Sequence, residues 1–199
     1  RFVSGCGKIA PSVKRNRDDA AVLIYSGGTT GKSKGIVLSN LCFNALAIQC
    51  IAVCPEARPG ASMMSALPIF HGFGLCVAVH APLCLGMKCI LIPKIDIKKL
   101  NETIKKKKPT IVPAVPTMLK AITNNKNLGP DSFKSVKVIL SGGDYLSDDL
   151  RARVIDYFRS CGSKAHIRIG YGLSEATAFF TATAYGAEDI DNIGIPNPD

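Results

Sequence analysis

The stretch of this sequence best equipped for chemistry is Tyr25-Ser-Gly-Gly-Thr-Thr-Gly-Lys-Ser-Lys-Gly35. Its glycines let backbone N–H groups turn toward an anion, Ser26, Thr29 and Thr30 add hydroxyl donors, and Lys32 and Lys34 bring charge. Phosphate cradling is the natural use of such a loop. An ordinary glycine-rich turn would leave the hydroxyls and lysines without a purpose. The tail Gly31-Lys32-Ser33 matches the end of the G-x-x-x-x-G-K-[ST] nucleotide loop, but Ser26 stands where its leading glycine belongs. That loop also runs straight into a helix whose N-terminus holds the phosphates. Here Lys34-Gly-Ile-Val-Leu38 is strand-like and a helix cap comes only at Ser39. The loop is expected to join two strands, which argues against a P-loop nucleotide hydrolase.

Other chemistry-bearing residues are sparse. Glu175 is the only carboxylate between Asp156 and Glu188. A magnesium ion beside substrate phosphates wants such a hard oxygen, and a first-turn position on a helix would suit it equally well. His71 stands between a strand end and a glycine; His80, in an apolar stretch, and His166, in a strand, read as structural. None of the three histidines has ligand spacing to a cysteine pair, so zinc is not expected. The eight cysteines include no C-x-x-C, and most sit in apolar runs. Free buried thiols in a reducing, cytoplasmic setting are expected.

The elements that must position these residues alternate. Strands are expected at Ala20–Ser26, Ile36–Leu38, Ser62–Leu67, Lys88–Pro93, Thr110–Val115, Val136–Leu140 and Ala165–Ile169. Between them fall a helix capped by Ser39 and Asn40, with Leu41, Ala45, Ile48 and Ala52 at helical spacing, and others over Gly74–Leu85, Ile97–Lys107 and Thr117–Thr123. Ser147 caps a further helix with Leu150, Val154 and Phe158 on one face, and a last helix is expected over Glu175–Ala182. Strands separated by helices of this length need crossovers. The fold class is therefore α/β, a largely parallel sheet covered by helices on both faces.

With 199 residues, 47% of them apolar, the chain can fold as one unit and is not disordered. A net charge of +10 predicts affinity for something anionic without choosing it. A basic, non-enzymatic polyanion-binding module using Lys105 to Lys108 is one alternative. Nucleic acid is not the expected partner, because no aromatics interleave with that lysine run, which suits a helix C-terminus. The longest apolar segment, Phe73–Met87, contains His80 and Pro82 and falls short of the ~20 residues of a membrane span. No leader is visible. The chain opens on Arg1, so a removed start or a piece of something longer is expected.

Tyr25 to Asn40 resembles the signature loop of the adenylate-forming superfamily, approximately [YF]-[ST]-[ST]-G-T-T-G-x-P-K-G, with Gly27 in place of a hydroxyl and Ser33 in place of proline. Other segments follow in that family's order. Leu67-Pro-Ile-Phe-His-Gly72 resembles its histidine-bearing strand end and Ser141-Gly-Gly-Asp144 its adenosine-contacting S-G-G-A. Gly170-Tyr-Gly-Leu-Ser-Glu-Ala-Thr177 resembles G-Y-G-x-T-E, and Asn192-Ile-Gly-Ile-Pro196 the following G-x-x-G-x-P. The resemblance spans residues 20 to 199.

It implies that a carboxylic acid is activated with MgATP as an acyl-adenylate and passed to a thiol, that of coenzyme A. It places Ser26, Gly27, Gly28, Thr29, Thr30 and Gly31 on the ATP phosphates, with Ser26 also near Mg2+ and Lys34 as a further charge. Glu175 would hold the metal, Ser174 a phosphate, and Tyr171, followed by Gly172, would lie against the adenine. Gly142 and Gly143 leave the backbone open for adenosine; Asp144, in place of a small residue, has no assigned role. His71 would border the acyl carboxylate. Walls around 70–80 and 142–172, rich in Gly, Cys, Ala and Val, suit an apolar chain, so a fatty acid is the expected substrate. The resemblance makes residues 1–199 part of the large N-terminal, ATP-binding domain, without the C-terminal lid domain and its lysine. Alone, the chain is expected to be inactive and to self-associate.

Overall fold

The computed structural model describes residues 13–26, 33–94, 96, 100–125, 128–184 and 192–198. β1 (Ala20–Ser26) and β2 (Lys34–Ser39) pair antiparallel as a hairpin, with Ser26 opposite Lys34. The loop between them holds Gly27, Gly28, Thr29, Thr30, Gly31 and Lys32 and lies outside the described residues. α1 (Asn40–Val53) follows β2 at once, its cap the Ser39 hydroxyl accepting from the Cys42 N–H at 3.3 Å. The loop thus joins two strands, as the β-branched run after it required. A phosphate-binding helix starting at Lys32 has no place in this arrangement.

The central sheet contains β3 (Ser62–Ser65), β4 (Lys88–Leu91), β5 (Ile111–Ala114), β6 (Val138–Ser141) and β7 (His166–Tyr171), all parallel, in the order β4-β3-β5-β6-β7. Two short antiparallel strands, β8 (Thr181–Ala182) and β9 (Ile195–Pro196), extend the β7 edge. Alternate residues of each strand serve opposite faces. Met63, Ile111 and Val138 pack with α1, the hairpin and a π-helical stretch, Phe73–His80, that runs into α2 (Ala81–Cys84). Met64, Val112 and Ile139 pack on the other face with α3 (Leu100–Lys107), α4 (Pro116–Thr123) and α5 (Asp148–Ser160). There Phe133 and Phe158 stack with centroids 4.0 Å apart. The sheet is covered on both faces.

Two expectations are corrected. The helix over Glu175–Ala182 does not form. Ser174–Ala176 makes a single 3₁₀ turn, Thr177 and Ala178 take φ of 57° and 75°, and the chain then enters β8. The free edge of β7 supplies the reason, since Tyr171 and Gly170 pair with Thr181 and Ala182. In α1 the spaced residues Leu41, Ile48 and Ala52 lie on the exposed side, and Leu46, Ala47 and Cys50 face the core. Most strands are also shorter than expected, β3 ending at Ser65 and β4 at Leu91. Residues 97–99, expected to open α3, lie outside the described set.

Candidate active site

Strand order reverses around β3, whose neighbours β4 and β5 follow it in sequence on opposite sides. In a parallel sheet, the crevice outside the carboxyl ends of strands at such a point is where ligands bind. The carboxyl ends of β3, β5, β6 and β7 gather the predicted motifs there, and two recesses open among them.

The larger recess, about 830 Å³, runs from Ser65 to His71 past Phe73 and Gly74, and is closed by Leu91–Lys94, Val115, Met118 and Gly143. His71 is exposed at its rim, with Nδ1 accepting from the Phe73 N–H at 3.2 Å. That bond fixes the proton on Nε2 in the neutral ring and leaves it free to donate. The helix after His71 enters tightly. A Cβ on Gly74 would stand 2.0 Å from the Pro68 carbonyl oxygen, so the side-chain-free position lets Phe73–His80 begin directly under the strand end.

The second recess, about 600 Å³, is lined by Gly143, Asp144, Tyr145, Leu146, Asp148, Ile169, Gly170, Tyr171, Gly172, Asn192 and Ile193. Close backbone approach shapes it. A Cβ on Gly142 would come within 2.9 Å of the Gly170 carbonyl oxygen, and one on Gly172 within 1.8 Å of that of Ala178. Gly143 has φ of +81° and belongs to both recesses. Tyr171 meets Phe180 edge-on at 5.2 Å and leaves part of its ring exposed to the recess. Asp144 turns back on its own chain, Oδ1 accepting from the Tyr145 N–H at 2.8 Å.

The turn carrying half-buried Ser174 and exposed Glu175 packs against both strands of the hairpin, which bear Ser26 and Lys34 opposite one another. Gly72, next to His71, sits against Ala178, a Cβ there falling 2.7 Å from the alanine methyl. The fold therefore brings His71, Gly142, Gly143, Tyr171, Gly172, Ser174 and Glu175 to one end of the sheet, beside the hairpin. Among the described residues Glu175 has no hydrogen-bond or ion-pair partner, and no group of three His, Cys, Asp or Glu gathers as a metal cage. A carboxylate and a hydroxyl, Glu175 and Ser26, on elements packed against one another would suit a magnesium ion whose other ligands are substrate phosphates. The residues fit that ion.

The AMP-binding enzyme family matches residues 4–199. The chain belongs to it. A long-chain-fatty-acid–CoA ligase of Bacillus subtilis (strain 168) is 33% identical over 90% of this chain and 32% of its own length. The 4-coumarate–CoA ligase-like 6 of Arabidopsis thaliana is 35% identical over 86% of this chain and 30% of its own. Among solved structures, ATP-bound MatB from Rhodopseudomonas palustris superposes with a TM-score of 0.83 at 25% identity, covering 98% of this chain and 37% of that one. The chain spans about one third of the length of the relatives it matches.

Several recess residues of this AMP-binding chain were not singled out from sequence: Tyr145 and Asp148, inside the expected 142–172 wall, in one recess, and Leu91, Val115 and Met118 in the other. Tyr145 adjoins a recognised motif and was within reach; the others become neighbours only through the strand order. The cysteines divide. Burial pushes the Cys50 thiol up to about 12, and Cys54 and Cys76 up to about 11, so these stay protonated, whereas Cys42 and Cys84 are exposed. No helix of the described residues is long and apolar enough to cross a membrane.

Proposed function

We propose that this chain forms the nucleotide- and acid-binding part of an enzyme that activates a carboxylic acid with ATP and passes the acyl group to coenzyme A. The observation that carries this reading is the meeting of two recesses at Gly143, one largely apolar beside His71 and one with glycine and tyrosine walls. An acid carboxylate in the first and a nucleotide in the second would meet at that glycine. The carboxylate oxygen then attacks the α-phosphorus, the bond to the β-phosphate oxygen breaks, and pyrophosphate leaves. The thiol sulfur of coenzyme A next attacks the acyl carbon, losing its proton as AMP departs.

The residues divide this work by position. Ser26, Lys34 and the loop of Gly27, Gly28, Thr29, Thr30 and Gly31 would meet the phosphates, and Ser174 would donate to one of them. Tyr171 would lie against the adenine, with Gly142, Gly143, Asp144 and Gly172 around the adenosine. Glu175 and Ser26 would hold Mg2+, which when bound supplies divalent charge to the phosphates. His71 would donate from Nε2 to the acyl carboxylate. Much of the rate would come from this positioning and charge stabilisation. The apolar lining of the recess beside His71, with Leu67, Ile69, Phe70, Phe73 and Met118, suits a fatty acid. Residues 1–199 would form part of an ATP-binding domain.

The test is pyrophosphate exchange by the intact protein across straight-chain and aromatic carboxylic acids. Exchange that rises with alkyl chain length is expected. Exchange with aromatic acids alone would overturn the fatty-acid assignment, and no exchange with any acid would overturn acid activation.

A further inference from the structure

We propose a second anion site at the opposite, amino end of the sheet, in a recess of about 450 Å³ between the end of α3 and the turn at 130–135, that takes a phosphate group. Lys105 and Lys108 line it from α3 and the residue just past it, Lys134 and Ser135 from the turn, and Ser132 from its floor. Lysines in the last turn of a helix are ordinarily accounted for by its dipole. Two features go beyond that account. Lys134 is on another segment, and the Lys105 ammonium reaches across to that segment, 4.0 Å from where a side-chain carbon on Gly129 would stand. Among the described residues neither Lys105 nor Lys108 has an ion-pair partner.

The deciding feature is Ser132. It is only 3% exposed, and its Oγ has no hydrogen-bond partner although it lines the recess. Buried hydroxyls are almost always satisfied, so an orphan in a recess that three lysines line points to an absent acceptor. Asp131 also lines the recess, and its carboxylate lies 3.9 Å from Lys134. The oxygen in that pair, Oδ1, lies 2.9 Å from where a Cβ on Gly162 would stand, so Asp131 and Lys134 sit on the divide between this recess and the neighbouring groove, which Lys134 also lines. Three positive charges against one negative, with hydroxyl donors at the base, suit a compact, multiply charged oxyanion. A phosphate group has the oxygens to use them all. The group can arrive as free phosphate or as a phosphomonoester lipid headgroup.

Lysine acetylation footprinting by mass spectrometry on the intact protein, at constant ionic strength with chloride as the control, reads the site directly. Inorganic phosphate should protect Lys105, Lys108 and Lys134 saturably and leave Lys137 and Lys164 of the adjoining groove unprotected. Ser132→Ala should weaken this protection about tenfold, the scale for one hydrogen bond to a charged group, without lowering the unfolding temperature. Lys134→Gln should weaken it as well. Vesicles of phosphatidylcholine with and without phosphatidic acid form the second arm. Protection confined to phosphatidic-acid vesicles assigns a headgroup, and protection by inorganic phosphate without vesicle binding assigns a free ligand. Absence of saturable protection in both arms, equal protection of Lys137 and Lys164, or unchanged affinity in Ser132→Ala overturns the proposal.

Discussion

The two ends of the central sheet are built from opposite materials. At the carboxyl end, Gly142, Gly170 and Gly172 bring backbone within contact of backbone or ring, Gly72 rests against the Ala178 methyl, and Phe73–His80, α4 and α5 begin there. At the amino end, lysines precede or open successive strands: Lys88 at β4, Lys108 before β5, Lys137 before β6, Lys164 before β7. Parallel crossovers impose this division, because they gather helix N-termini at one end and C-termini at the other. The carboxyl end therefore offers helix N-termini to an anion. The other end offers side-chain cations instead, and those in the last turn of α3 already suit its dipole.

The largest expected difference between the ends is catalytic. Glu175→Gln should lower adenylation by a factor on the order of 10²–10³ and leave the fold intact; unchanged exchange kinetics at limiting magnesium would remove Glu175 from the site. Next come the glycines. Gly172→Ala pushes a methyl into the Ala178 carbonyl and should cost about 3 kcal/mol of stability. Gly60→Ala, at the amino end with φ of +86° and nothing within 4 Å, should cost about 1–2 kcal/mol through backbone conformation alone. Equal losses in paired denaturant titrations would erase the contrast. The smallest effects separate the two kinds of helix end. Ser147→Ala removes the hydroxyl that accepts from the Leu150 N–H and should cost about 1 kcal/mol at any salt. Lys107→Gln, in the last turn of α3, should cost about 0.3–1 kcal/mol at low ionic strength. Thermal unfolding with and without added salt should show the lysine effect vanish and the serine effect persist.

Much of this division was legible in the sequence. β1 has its expected limits because a short apolar run there ends at a pair of glycines. The motifs at Leu67–Gly72, Ser141–Asp144 and Gly170–Thr177 all sit where a strand ends, and local residue types announce strand ends. What failed was local propensity set against tertiary pairing. Ala176 and Ala178 favour helix, but the open edge of β7 drew Thr181 and Ala182 into a ladder. The α1 stripe was misread for a different reason: that helix is apolar on both sides, so Leu41 and Ile48 carry the same period as Leu46 and Cys50. Arg168 is only 4% exposed, with Nε donating to the Thr183 carbonyl at 3.1 Å, and nothing in its neighbourhood foretold burial. Side chains brought to one recess from separate segments, as Leu91 and Val115 are, leave no spacing to read.

The hairpin that bears the glycine-rich loop forms a sheet of its own. Among the described residues no strand pairing ties it to the central sheet; its anchors are Ile24 and Leu38, seated in the core, and the Asn40 and Leu41 N–H groups donating to the Asp19 and Arg17 carbonyls. In mechanical terms the loop hangs on an arm whose mounting is greasy rather than stitched. A load on the hairpin reaches the sheet chiefly through apolar contacts, and none of the central sheet's ladders must break for the arm to give. The glycine-bound carboxyl end is stiff by comparison, its backbone jammed against backbone at Gly142 and Gly172. On the proposed reading, a molecule between the hairpin and that end would be held by one rigid wall and one compliant one.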